Sequence, residues 1–108
     1  KLDVLDEFDT VRIVDWYEAD GARLERYPAD AHALSRCTPG TIELAGWRRA
    51  TGHCRDLESL PSNARCYLEL LQERVGVPIG LVSVGPDRDS TFRLQRDASA
   101  GPRSWRAT

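Results

Sequence analysis

The chain has 108 residues, 41% hydrophobic and 30% charged, with 15 Lys+Arg against 17 Asp+Glu and a net charge of -2. Such a composition is that of an ordinary folded domain, and the length suits one small domain rather than two. The near-balanced charge gives no electrostatic reason to bind nucleic acid or an anionic membrane, and no apolar run approaches the ~20 residues needed to cross a bilayer.

The chain opens Lys1-Leu2-Asp3-Val4, without an initiator Met and without the pattern of a secretory signal; it reads as processed or cut from something larger. Its cysteines, Cys37, Cys54 and Cys66, are odd in number and form no C-x-x-C pair. A disulfide framework is therefore not expected, and a reducing, cytoplasmic compartment fits. Cys66 is expected to pack as a small apolar side chain on a helix, with Cys37 and Cys54 nearer the surface. His32, Cys37, His53 and Cys54 match no standard zinc spacing.

In chain order, "LDVLD" reads as a short strand ending in acidic residues. "TVRIVDWYEADGARLERYPAD" carries a hairpin signal, with Asp20-Gly21 as its tight turn. "PADAHALSRCTPG" has room for one short helical turn, stopped by Pro39-Gly40. "TIELAGWRRATGHCRDLESLP" reads as mostly irregular. The clear helix is "SNARCYLELLQERVG", where Ala64, Tyr67, Leu68, Leu71 and Val75 make one apolar stripe. Ser59 or Ser62 is expected to cap it and Gly76 to end it. "VPIGLVSVG" is nearly all apolar, as in a strand covered on both faces, and "STFRL" follows as a last strand. From Gln95 onward periodicity is lost, and residues 96–108 read as a flexible tail. A helix followed by a buried strand is half of a β-α-β unit, so the fold class is α/β, and in such sheets ligands bind beyond strand ends.

Two segments of that kind carry chemistry. In Lys1-x-Asp3, one carboxylate can accept from both the N1–H and the 2-amino group of guanine, a charge-assisted bidentate contact. Adenine lacks that donor pair and would leave the carboxylate unsatisfied. The Lys1 stem can lie across the base while its ammonium stays in water. In Ser83-Val84-Gly85-Pro86, Gly85 permits close backbone approach, Pro86 fixes the turn, and backbone N–H groups could donate to guanine O6. Each segment taken alone also reads as an ordinary strand end or β-turn, with Ser83 bonding its own backbone.

"KLDVLD", "GWRRAT" and "LPSNARCYLELLQERVGVPIGLVSVGPDRDSTF", with the "ADG" hairpin and "YPAD" between them, together resemble the C-terminal part of adenylosuccinate synthetase over residues 1 to about 95. That resemblance implies part of a P-loop-NTPase-like fold with a hairpin, one amphipathic helix and a buried strand. It implies a cytoplasmic, homodimeric, GTP-dependent ligase that joins IMP to L-aspartate with Mg2+. By the same resemblance, Lys1, Leu2, Asp3, Ser83, Val84, Gly85 and Pro86 fall on the guanine-binding segments. The family's phosphate loop, catalytic residues and Mg2+ site match nothing in these residues, so the chain is expected to be inactive alone, with no catalytic and no metal-binding residue. His32 and His53 match no catalytic position. Ala45 stands where the family has Pro, and Thr41-Ile42 where it commonly has Tyr-Glu. A stand-alone interaction module, or a paralogue with another purine nucleotide or amino acid, remain alternatives.

Among single residues, Asp6 and Asp9 are expected to be solvated strand-end carboxylates. Trp47 is expected to be a packing anchor, Trp16 a sheet-face residue and Trp105 part of the tail. Asp87-Arg88 reads as a surface ion pair or as an orienter of the Ser83 loop.

Overall fold

The computed structural model describes residues 1–28 and 30–94; the expected tail, Trp105 included, lies outside them. The chain divides into two compact units, one of Arg12–Leu44 and one formed by Lys1–Val11 together with the described residues from Ala45 onward.

The first unit is built on a three-stranded sheet of β1 (Thr10–Ala19), β2 (Ala22–Arg23) and β3 (Thr38–Ala45), in the order β2-β1-β3. β1 and β2 pair antiparallel, with Ala19 opposite Ala22. The two residues between them, Asp20 and Gly21, both have positive φ (54° and 80°), as a type I′ turn requires. The expected hairpin is therefore present. α1 (Ala31–Ser35) is the expected short helical turn, capped by the Asp30 side chain accepting from the Ala33 N–H at 2.7 Å.

Pro39-Gly40 is not what stops that helical turn, which already ends at Ser35, and the start of the stretch read as irregular is not irregular: both lie in β3. The reason is position. β3 is an edge strand, where a Pro without an N–H is tolerated. Gly40 sits under the Trp16 ring, where a Cβ would collide with the indole.

The second unit holds α2 (Ser62–Val75) and a two-stranded antiparallel sheet of β4 (Leu81–Ser83) and β5 (Thr91–Arg93). Its core gathers Leu2, Val11, Trp47, Cys54, Leu60 and Ala64 with Leu68, Val82, Val84, Phe92 and Leu94. α2 ends as expected at Gly76, which adopts φ 78°. Its start differs. The N-cap is Pro61 with no side-chain bond, and Ser59 instead closes a turn with Asp56. The apolar stripe also shifts at its end. Val75 is 70% exposed, and Gln72, 2% exposed, is buried in its place, accepting the Ile79 N–H on Oε1 at 2.9 Å.

Three further expectations are corrected. "LDVLD" is not a strand: Leu2–Leu5 is a 3-10 turn, with Val4 N–H donating to Lys1 O and Asp6 N–H to Asp3 O. Side chains three apart share a side of such a turn, so Leu2 and Leu5 both face the core while Val4 stays 64% exposed. β4 is not covered on both faces, because Val82 and Val84 are buried but Leu81 is 57% exposed. Among the described residues β4 pairs only with β5, so no β-α-β unit is completed. Cys54, not Cys66, is the buried thiol; its Sγ donates to Ser59 O, Cys66 is exposed, and all three cysteines are free.

Candidate functional site

The 3-10 turn at the start of the chain and the end of β4 meet. The main-chain nitrogen of Lys1 donates to Ser83 O at 2.8 Å, so the two segments singled out in the sequence are neighbours. Lys1, Leu2 and Ser83 border one apolar groove of about 490 Å³, shared with Tyr67, Leu71 and Leu81. Asp3 and Val84–Pro86 do not line it.

Asp3 is half-buried, and its Oδ1 is shielded from solvent without a hydrogen-bond partner. An unpartnered buried acceptor is costly, and a donor brought to it would be bound with the strength of a charged hydrogen bond. Leu2 is a core residue.

The Ser83 turn is held mainly by its own surroundings. The Ser83 hydroxyl donates to Gly85 O at 3.2 Å, the bond to its own backbone that an ordinary turn would make. Val84 is fully buried, and its N–H donates to Ser90 O at 2.7 Å. Gly85 is close to protein rather than open: a Cβ there would stand 2.7 Å from Ser90 Oγ. Pro86 is exposed. Ser90, itself buried, is the residue that sequence reasoning missed here; a Ser in a charged turn carries no signal of burial. Asp87 contributes through its backbone, accepting the Ser90 N–H, and among the described residues no ion pair joins it to Arg88.

Asp6 corrects another expectation. It is half-buried and accepts three hydrogen bonds, from Trp47 Nε1 (2.8 Å), Thr51 N (2.8 Å) and Thr51 Oγ1 (2.7 Å). It fixes the "GWRRAT" loop from 41 residues away, and no local pattern pairs the two. Asp9 is exposed as expected, but it is ion-paired with Arg48, whose φ is positive at 48°. Trp47 is the packing anchor expected, and Trp16 lies half-buried in β1 under the Arg23 guanidinium.

His32 and His53 are exposed. Among the described residues no group of three or more His, Cys, Asp or Glu is arranged to hold a metal ion. No helix among them is long and apolar enough to cross a membrane. Tyr67, on the groove wall, has its phenol pushed above the usual value near 10 by burial.

A family model for adenylosuccinate synthetase matches residues 1–92. The adenylosuccinate synthetase of Gloeobacter violaceus is 44% identical over 103 residues, 95% of this chain and 23% of that protein. That of Staphylococcus epidermidis is 47% identical over 95 residues, 88% of this chain and 22% of that protein. The structure of fully ligated adenylosuccinate synthetase from Plasmodium falciparum superposes with a TM-score of 0.81 at 25% identity, over 88% of this chain and 23% of that one. The chain thus spans less than a quarter of the length of these relatives, and over that span it has their fold. With most of its residues inside the family match and its fold shared with a solved member, the chain belongs to the adenylosuccinate synthetase family.

Proposed function

We propose that this chain is the guanine-reading portion of a cytoplasmic, homodimeric GTP-dependent ligase. That ligase joins IMP to L-aspartate and yields adenylosuccinate, GDP and phosphate. Lys1, Leu2 and Asp3 form one side of the base site, and Ser83, Val84, Gly85 and Pro86 the other. Asp3 accepts from guanine N1–H and the 2-amino group, the Lys1 stem covers the base, and the loop presents main-chain donors to O6.

The observation that carries this reading is the contact between Lys1 and Ser83 beside a carboxylate with a buried, unpartnered oxygen. This chain spans 23% of the length of one relative, and the reading assigns the Mg2+ site, whose ion would neutralise phosphate charge, and the groups that do the chemistry to the remainder. The isolated 108 residues are accordingly inactive, and a measurable rate of adenylosuccinate formation from them would contradict that.

The decisive experiment changes Asp3 to Asn in the longest natural polypeptide that carries these residues. Losing a charged hydrogen bond to the base lowers GTP affinity roughly 10- to 150-fold. An amide keeps an acceptor for N1–H and adds a donor that matches the 2-oxygen of xanthine, so XTP binding improves. Unchanged GTP binding, or equal preference for guanine and adenine nucleotides in the parent, would sink the assignment.

A further inference from the structure

The 3-10 turn Leu2–Leu5 has three sides, because side chains three apart eclipse one another. Leu2 and Leu5 share the side packed on the core, and Val4 stays exposed. Asp3 and Asp6 share the third side, and both are half-buried. Their surroundings differ. Asp6 accepts from Trp47 Nε1, Thr51 N and Thr51 Oγ1, whereas Asp3 Oδ1 is shielded and has no partner.

We propose that Asp6 is a positioning residue for the guanine site, aiming the Asp3 carboxylate at the base; this rests on the assignment of Asp3 as the guanine acceptor. A buried acceptor without a partner is costly, so its surroundings must hold it in place. The turn does not do so by itself. Its own bonds, Val4 N–H to Lys1 O at 3.2 Å and Asp6 N–H to Asp3 O at 3.1 Å, are at the long end of the normal range and of the weaker 3-10 kind. Burial of Leu2 and Leu5 is not directional and leaves the turn free to roll. The three bonds to the Asp6 carboxylate are directional and remove that freedom. They end on a braced loop. Gly46 N–H donates to Asp9 O at 2.8 Å, Asn63 Nδ2 donates from α2 to Gly46 O at 2.9 Å, and Cys54 N–H donates to Thr51 O at 2.9 Å. Asp6 passes the orientation of that loop to Asp3 through its own N–H.

The test uses the longest natural polypeptide that carries these residues and compares GTP with ITP, whose base keeps N1–H but lacks the 2-amino group. A bidentate contact demands orientation and a single hydrogen bond is more tolerant, so a misaimed Asp3 costs GTP more than ITP. In Asp6→Asn the KM for GTP is expected to rise roughly 10-fold, with a smaller rise for ITP and an unchanged kcat. Thr51→Val, which removes one of the three donors, is expected to act in the same direction more weakly, and Thr51→Ser, which keeps the hydroxyl, to behave as the parent. Adding Asp6→Asn to Asp3→Asn is expected to leave the preference where Asp3→Asn alone puts it.

A purely structural Asp6 would lower the amount of folded protein, so kcat per total protein would fall with the GTP:ITP preference intact. That result would overturn the proposal, as would a further loss of preference in the double variant. Should Asp6→Asn not fold, Thr51→Val decides by the same readout. If Asp3→Asn itself leaves the GTP:ITP preference unchanged, the guanine assignment fails and this role with it. If Asp3→Asn removes the preference while neither Asp6→Asn nor Thr51→Val narrows it, the positioning role alone fails.

Discussion

Trp47 and Asp6 are joined across 41 residues by a 2.8 Å hydrogen bond, and the same carboxylate also holds Thr51 by its N–H and its hydroxyl. Thr51 is fully buried and Trp47 nearly so, so these donors have no access to water as a substitute. Asp6→Asn places an amide NH2 opposite one of the donors, whichever way it turns. The expected loss is about 1–3 kcal/mol, read by urea denaturation. Thr51→Val, which removes only the hydroxyl, is expected to cost less. Unaltered stability in Asp6→Asn would show that the carboxylate is not what fixes the loop.

Gly46 is the tightest backbone site in the same loop. Its N–H donates to Asp9 O at 2.8 Å, and a Cβ would run into the Phe8 carbonyl. The obstacle is main chain, which cannot rotate away. Gly46→Ala is expected to destabilise by about 3 kcal/mol or more. At Gly40 the obstacle is the Trp16 side chain, so Gly40→Ala is expected to cost less. Thermal melting of both variants tests the order; the reverse order would contradict it.

Gln72 ties the end of α2 to the chain entering β4. Replacing it with Leu preserves bulk but leaves the Ile79 N–H without its acceptor. A loss of about 1–3 kcal/mol is expected. Glu at this position keeps an acceptor and should recover part of that loss. Amide exchange at Ile79 reads the bond directly, and an Ile79 rate unchanged in Gln72→Leu would show that the bond is not formed in solution.

Tyr67 stacks at a tilt against Trp47, ring centroids 5.9 Å apart, and burial raises its phenol above the usual value. A raised value in the folded state means that the folded chain holds the proton more tightly than the unfolded one. Stability from this group is therefore complete below pH 10 and is lost as pH rises through the higher folded value. In an ultraviolet titration the Tyr67 phenol should ionise above the usual value near 10, and Tyr67→Phe should flatten the alkaline fall in stability. An alkaline fall in stability unchanged by Tyr67→Phe would refute this.

What could be read from the sequence was local. Asp20-Gly21 announces its turn because both residues tolerate positive φ, and α2 announces itself through Ala64 and Leu68. Asp6 could not be recognised, since its partners are distant in sequence and a carboxylate between turns looks solvated. Gln72 was hidden for a related reason: a polar residue is buried when a backbone donor needs it, and that donor lies beyond the helix. β3 was obscured by Pro39 and Gly40, which break a strand in general but not at an edge or beneath an indole. The nearness of Lys1 and Ser83 came from resemblance rather than pattern, because nothing local links residues 82 apart.

The Ser83–Pro86 turn makes its contacts largely with main-chain atoms: Val84 N–H is held by Ser90 O, the Ser83 hydroxyl by Gly85 O, and Pro86 has no N–H. Main-chain groups are the same whatever the side chain, so their chemistry survives substitution as long as the loop keeps its path. Evolutionary constraint should then fall unevenly. It should be strict at Gly85, where any Cβ meets Ser90, and at Val84, which has no spare volume, and relaxed at exposed Pro86 and Asp87. A saturation library across residues 83–90 would display that profile as a map of tolerated residues.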